Sequence, residues 1–196
     1  MIVPDFAGFG SSEKPEEPWG VGDYAEWLKK FIEYSGLEKP HVVAHSFGAR
    51  VAIKLFSVQP QYCEKLVLTG GAGIVKERSP QYIRRVNAYR RVKKLFPKFA
   101  ERHFGSSEYK KLSPVERESY KKIVNEDLRE AAKKISSKTY LLYGGDDTVT
   151  PAAEEGEIFH KAIAGSVLET MAGGHFCFSE HPDEFNKRVF KFLTEN

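Results

Sequence analysis

Long apolar runs are missing from this chain of 196 residues, and no basic stretch followed by an apolar one opens it. A membrane-spanning helix needs about 20 consecutive apolar residues, so we expect no integral membrane segment. A signal peptide is not visible either. Cysteine is scarce, because Cys63 and Cys177 alone are too few for a disulfide framework. Free thiols are typical of a reducing compartment, which favours a cytoplasmic protein.

Motifs for metals, nucleotides and nucleic acids are also missing. The sequence has no Cys-x-x-Cys pair, no His-Glu-x-x-His motif and no phosphate-binding glycine loop, so we expect no metal site and no cofactor. Residues 76–134 carry 18 Lys and Arg against 8 Asp and Glu. Because no nucleic-acid motif accompanies this charge, we interpret it as solvated helices and expect no nucleic-acid partner. Affinity for anionic substrates or a membrane surface is the alternative.

Apolar residues recur with strand and helix periods in turn along most of the chain. Short apolar runs predict strands at Met1–Pro4, His41–Ala44, Lys65–Thr69, Thr139–Tyr143 and Val167–Met171. Helical spacing predicts helices over about residues 21–35, 47–59, 151–163 and 182–193. Because strands alternate with helices, we expect an α/β protein with a mostly parallel sheet that helices cover on both faces.

Residues 74–134 interrupt this alternation. Their pattern predicts several short basic helices, one of which begins with a capping box at Ser113-Pro114-Val115-Glu116. We expect a helical cap or lid over 74–134, on a core formed by 1–73 and 135–196. Aromatic side chains of the cap either line an apolar substrate pocket or only fasten the cap to the core. The residues concerned are Tyr82, Tyr89, Phe96, Phe99 and Phe104.

Three residues that suit nucleophilic catalysis each follow a predicted strand. Ser46 lies between a strand and a helix, Asp147 follows the strand at 139–143, and His175 follows the last strand. Functional groups of parallel α/β sheets gather at the carboxyl ends of the strands, so we expect these side chains to lie together. A histidine can take the proton of a serine hydroxyl, and a carboxylate can hold the histidine in the required tautomer.

The motifs around these residues resemble those of the α/β-hydrolase fold family. The segment Ala44-x-Ser46-x-Gly48 is similar to the G-x-S-x-G nucleophile elbow, with alanine for the first glycine. The segments Gly144-x-x-Asp147-x-x-x-Pro151 and Gly174-His175, and the loop PDFAGFGSS followed by KP, also resemble their counterparts. The chain order Ser, Asp, His is that of the family. The resemblance covers nearly all of the sequence outside the cap.

This resemblance implies a serine esterase or lipase-like hydrolase that cleaves small carboxylic esters through an acyl-enzyme. Ser46 would be the nucleophile, His175 the base and Asp147 the group that orients the base. A C–C bond hydrolase, a cofactor-free perhydrolase and a non-catalytic hydrolase-like domain stay open. His45 adjoins the nucleophile, and we interpret it as a packing residue.

By the same resemblance, the chain is short at its N-terminus and lacks counterparts of the first three strands. The loop that normally supplies one oxyanion donor is therefore absent, and the chain is either a fragment or a short natural variant. Phe47 N–H keeps the first donor role. We expect Phe6 or Ala7 N–H to supply the second, if the strand ending at Pro4 pairs directly with the strand carrying Val42. An exposed sheet edge also predicts a homodimer.

Overall fold

Four parallel strands form the sheet of this computed structural model, which describes residues 1–75, 80, 81, 84, 86–88 and 112–195. The strands are β1 (Val42–His45), β2 (Lys65–Thr69), β3 (Lys138–Gly144) and β4 (Val167–Met171). Within the described chain they lie side by side in sequence order, and each neighbouring pair is parallel. All carboxyl ends therefore meet at one edge of the sheet, as the alternation of elements predicts.

Helices connect and cover the strands. Those that lie within residues 1–75 and 112–195 are α1 (Val21–Tyr34), α2 (Phe47–Phe56), α3 (Pro114–Val124), α4 (Arg129–Ala132), α5 (Glu157–Ala162), α6 (Cys177–Glu180) and α7 (Pro182–Thr194). A short 3₁₀ turn occupies Pro60–Tyr62, and a turn with π geometry, Ala152–Gly156, leads into α5. Of the helices in the described ranges, none has the length and apolar character that a bilayer crossing requires.

Two apolar cores lie on opposite faces of the sheet. Successive side chains of a strand point to opposite faces. Leu66, Leu68 and Leu141 accordingly join the core that contains α1, α2 and α5. Val67 and Leu142 point the other way, into the core that α6 and α7 complete. The prediction of helices on both faces is therefore confirmed.

The outer side of β1 differs from the expectation. Residues 1–6 form no strand, so the predicted strand at Met1–Pro4 and its pairing with the strand carrying Val42 are wrong. Pro4 has no N–H to donate to a ladder, and hydrogen bonds to Asp5 hold the following loop in turns instead. These first residues line a groove of about 350 Å³ beside β1, together with Val42 and Val43. The homodimer expected at this edge stays a prediction.

Polar contacts connect α3 to the core. From α2, Arg50 donates to the carbonyl oxygens of Ile123 and Glu126 at 3.0 and 3.1 Å. From the loop before α1, the Trp19 N–H donates to Ser119 Oγ at 3.0 Å. The last part of the predicted cap is therefore held against the core, whereas the aromatic residues predicted for its pocket lie outside the described residues.

The predicted capping box at the start of α3 is confirmed. Ser113 Oγ accepts the Glu116 N–H at 3.2 Å, and the Glu116 carboxylate accepts the Ser113 N–H at 2.7 Å. Lys14 lies 2.9 Å from the same carboxylate. The hydrogen bond from Lys14 and, as a smaller influence, those from Ser113 lower the pKa of Glu116 to about 2. The start of α3 is therefore stabilised both by the reciprocal Ser113 and Glu116 hydrogen bonds and by Lys14 from the first loop.

We predict that Ser113→Ala lowers the free energy of unfolding by about 1 kcal/mol, because one N–H at the helix start loses its acceptor. Urea unfolding followed by circular dichroism measures this difference. Ser11→Ala, at an exposed serine of the first loop, is the matched control and should change the free energy of unfolding little. Equal effects of both substitutions would contradict the capping role.

Gly144 lets the loop after β4 pass close over the end of β3. A Cβ atom at Gly144 would lie 2.1 Å from the Gly174 oxygen and 2.4 Å from the Gly173 oxygen, which are backbone atoms. Two hydrogen bonds fix the same crossing, from Gly145 N–H to Met171 O at 2.7 Å and from Asp146 N–H to Gly173 O at 3.0 Å. A larger residue at position 144 therefore requires the loop that carries His175 to move.

We predict that Gly144→Ala destabilises the fold by on the order of 3 kcal/mol. The added Cβ would clash with backbone atoms, which cannot move aside as a flexible side chain can. Gly22→Ala is the matched control, because a Cβ there meets Lys54 Cε at an ordinary 3.8 Å. Alanine also suits a helix better than glycine, so this control should be neutral or stabilising. Thermal unfolding of both variants tests the argument, and a Gly144→Ala protein as stable as the wild type would refute it.

Candidate active site

Ser46 occupies a sharp turn between β1 and α2. Its backbone has φ of 49° and ψ of −108°, which is costly for a residue other than glycine. Ser46 N–H donates to Thr69 O at 3.1 Å, and Ser46 O accepts N–H groups from the first turn of α2. A Cβ on Gly48 would meet Ala44 Cβ at 3.9 Å, so alanine fits at the first small position of the motif. The turn projects the hydroxyl beyond the carboxyl edge of the sheet.

The structure brings Ser46, His175 and Asp147 together in one chain of hydrogen bonds. His175 Nε2 lies 3.0 Å from Ser46 Oγ, and His175 Nδ1 lies 2.8 Å from Asp147 Oδ2. A carboxylate accepts hydrogen bonds, so the neutral ring carries its hydrogen on Nδ1. Nε2 is then free to accept the serine proton. The His175 and Asp147 side chains are 10% and 0% exposed, so little water competes for these contacts.

Asp147 is held as a carboxylate by several donors. Its Oδ1 accepts the N–H groups of Val149 at 2.8 Å and Thr150 at 2.9 Å, and its Oδ2 accepts the Thr150 hydroxyl at 2.9 Å. Burial raises the pKa of Asp147, but the hydrogen bonds from His175, Thr150 and Val149 outweigh it and lower the pKa below its usual value. Asp147 is therefore charged at neutral pH, opposite the ring nitrogen that donates to it.

Thr150 is a site residue that the sequence reasoning missed. Its hydroxyl donates to Asp147 and also lies 3.2 Å from His175 Nδ1, and the residue is 4% exposed. The available signal was local, because a hydroxyl residue three positions after an aspartate can bond back to it. Thr150 also falls inside the segment from Asp147 to Pro151 that carries the family resemblance.

The residues predicted for the oxyanion lie beside the serine turn. Phe47 is the first residue of α2, so its N–H has no acceptor within the helix. The Phe6 ring packs edge-on against the Phe47 ring at a centroid distance of 5.7 Å. The Ala7 carbonyl accepts the Tyr24 hydroxyl at 3.2 Å. The Phe6 contact brings the first loop to the start of α2, the Ala7 contact attaches the same loop to α1, and the donor roles of Phe6 and Ala7 stay predictions.

Cys177 is a neighbour of His175 in sequence with no part in the hydrogen-bonded chain. Its Sγ lies 3.8 Å from Thr69 Oγ1, and the side chain is buried. Burial raises the pKa of the Cys177 thiol, so the thiolate needed for nucleophilic attack is disfavoured. Over residues 1–75 and 112–195, no three His, Cys, Asp or Glu side chains are grouped to hold a metal ion.

The comparison with known families gives one match over most of the chain. The family model of the alpha/beta hydrolase fold matches residues 1–182. The 2-hydroxymuconate semialdehyde hydrolase of Pseudomonas putida is 34% identical over 77 residues, which cover 38% of this chain and 27% of that protein. The chain spans about a fifth to about three fifths of the length of the curated relatives that it matches, such as 21%, 56% and 61% of three of them.

Two solved structures are similar over 97% of this chain. A hydrolase from Pseudomonas aeruginosa PA01 has a TM-score of 0.72 at 25% identity, with 78% of its chain covered. An esterase from Exiguobacterium antarcticum has a TM-score of 0.73 at 22% identity, with 80% covered, which is a likeness of fold. The family match over residues 1–182 and the shared fold lead to one conclusion: the chain belongs to the alpha/beta hydrolase fold family.

Proposed function

We propose that the protein is a serine hydrolase that cleaves small carboxylic esters through an acyl-enzyme. The observation that carries this proposal is the hydrogen-bonded chain from Ser46 Oγ through the His175 ring to Asp147. A serine hydroxyl becomes an effective nucleophile when an adjacent base takes its proton. The name of the esterase from Exiguobacterium antarcticum is consistent with this reaction. The proposed substrates are small molecules, and the proposed location is the cytoplasm.

The reaction begins when Ser46 Oγ attacks the ester carbonyl carbon and His175 Nε2 takes the serine proton. The imidazolium that forms is stabilised by the negative charge of Asp147. As the tetrahedral intermediate collapses, the ester C–O bond breaks and His175 gives its proton to the leaving alkoxide oxygen. A water molecule then loses a proton to His175, attacks the acyl carbon, and releases the acid as the proton returns to Ser46 Oγ.

The oxyanion of each intermediate is proposed to lie at the start of α2. The Phe47 N–H has no intrahelical acceptor, and the positive end of the helix dipole favours negative charge there. Phe6 or Ala7 N–H is the proposed second donor, because the Phe6 ring contacts the Phe47 ring. The aromatic residues between 82 and 104 are the proposed acyl pocket.

A C–C bond hydrolase is the second candidate. The observation that favours it is the 34% identity over 77 residues to the 2-hydroxymuconate semialdehyde hydrolase of Pseudomonas putida. The same Ser46 and His175 would serve either reaction. Turnover of p-nitrophenyl esters and of 2-hydroxymuconate semialdehyde by the same preparation separates the two candidates, because a higher kcat/KM identifies the preferred bond.

We predict that Ser46→Ala lowers kcat for p-nitrophenyl acetate by at least about 10³-fold, because the attacking oxygen is removed. His175→Ala should have nearly the same effect, because the two residues act as a unit. Ser179→Ala replaces an exposed serine and is the control for loss of a hydroxyl near the site. Release of p-nitrophenol measures all three, and wild-type turnover in Ser46→Ala would disprove the mechanism.

The oxyanion proposal predicts that replacing the Phe47 amide by an ester lowers kcat by about 10²–10³-fold, because one donor is lost. Phenyllactic acid, introduced by nonsense suppression, makes this change without altering the side chain. The same analogue at Phe6 tests the second donor, and phenylalanine introduced by the same route is the control. If the change at Phe6 leaves kcat at the control value, Phe6 is not a donor. If the change at Phe47 also leaves kcat at the control value, the proposed oxyanion site is wrong.

A further inference from the structure

The loop after β4 has to cross most of the sheet to bring His175 to Ser46. In the described chain β2 and β3 separate β4 from β1, so the ends of β1 and β4 are about 14 Å apart at ordinary strand spacing. The loop passes the end of β3 at Gly173 and Gly174. It then passes the end of β2, where a Cβ on Gly70 would lie 3.1 Å from His175 Nδ1. Its far end therefore needs an attachment at β1.

His45, the last residue of β1, makes that attachment. Its Nε2 lies 2.9 Å from the backbone carbonyl oxygen of His175. A carbonyl oxygen accepts hydrogen bonds, so Nε2 is the donor and carries a hydrogen. The His45 ring also lies 4.6 Å from the His175 ring and 4.9 Å from the Phe178 ring, measured between centroids. One side chain thus contacts both the backbone and the ring of the residue proposed as the base.

The environment of His45 keeps this ring neutral. Burial is the largest influence and lowers the pKa of His45, while the bond to the His175 carbonyl opposes it. A neutral ring places no positive charge beside the imidazolium that forms on His175 during the proposed reaction. The ring can therefore pack closely on His175 without opposing the proton transfer.

We propose that His45 is a positioning residue for His175, which it holds by donating from Nε2 to the His175 backbone carbonyl. This inference rests on the proposed function. Asp147 and Thr150 hold the Nδ1 side of the His175 ring, whereas His45 holds the backbone from which that ring projects. Together they fix the direction of Nε2 towards Ser46 Oγ. Without the His45 bond the carbonyl loses this partner, and the backbone from which the His175 ring projects is held less firmly.

The test compares two substitutions that separate the hydrogen bond from the ring. His45→Phe keeps an aromatic ring and removes the donor, whereas His45→Gln places an amide N–H at similar reach. We expect His45→Phe to lower kcat for p-nitrophenyl acetate by about 10–100-fold with little change in KM, because a small misplacement of a catalytic group is costly. His45→Gln should recover most of this loss. Equal losses in both variants, or no loss in His45→Phe, would overturn the proposal.

A second readout does not depend on turnover. Nitrogen-15 spectra of the histidine rings should show His45 protonated on Nε2 and His175 protonated on Nδ1 in the wild type. In His45→Phe the looser backbone should weaken the bond from His175 Nδ1 to Asp147, so the His175 signals should shift towards a mixture of tautomers. In His45→Gln they should stay near those of the wild type. Unchanged His175 signals in His45→Phe would refute the positioning role.

The two readouts keep this inference distinct from the proposed function. A wild-type protein that cleaves no ester would count against the ester hydrolase, while the spectra still decide the role of His45. Thermal unfolding checks that each variant is folded. If His45→Phe does not fold, His45→Met takes its place as the variant without a donor, with the same expected loss and the same contradicting result.

Discussion

The hydrogen bond between Asp147 and His175 is the interaction on which the rest of the site depends. The carboxylate side chain is fully buried, and a buried charge without partners would be very costly. It is satisfied by two backbone N–H groups, one hydroxyl and the His175 ring. The same bond sets the tautomer that leaves Nε2 facing Ser46. The hydrogen bond that helps to compensate for burying the Asp147 carboxylate therefore also sets His175 to accept the proton of the proposed nucleophile.

The fold has to bring together residues that follow three different strands, because Ser46 follows β1, Asp147 follows β3 and His175 follows β4. The parallel order puts all three strand ends at one edge. Glycine at position 144 and at position 70 leaves room for the loop to cross the intervening strand ends. The strained turn at Ser46 stores on the order of 1–3 kcal/mol, which the surrounding core has to offset.

The sequence predicts those parts of the fold and site that follow from local patterns. Apolar runs place β1–β4, and strand-end positions together with the motifs that resemble the α/β-hydrolase fold family predict that Ser46, Asp147 and His175 lie at one edge. The strand predicted at Met1–Pro4 is wrong, because an apolar run alone does not show that the following loop, which hydrogen bonds to Asp5 hold in turns, keeps these residues out of the ladder beside β1. The His45 contact was missed for a related reason, because it depends on where a distant loop lies, which no spacing within one segment records. Thr150 was missed although its hydrogen bonds to Asp147 are local, and only its approach to His175 depends on that loop.

Active-site labelling with a fluorophosphonate, followed by peptide mass mapping, tests most directly whether Ser46 is a nucleophile activated by His175. We expect one label per chain, on Ser46, because that hydroxyl faces an imidazole whose other ring nitrogen donates to a buried carboxylate. The label should disappear in His175→Ala, in which Ser46 is intact but lacks its base. Absence of labelling in the folded wild-type protein, or labelling of Ser46 that persists in His175→Ala, would contradict the activation of Ser46 by His175.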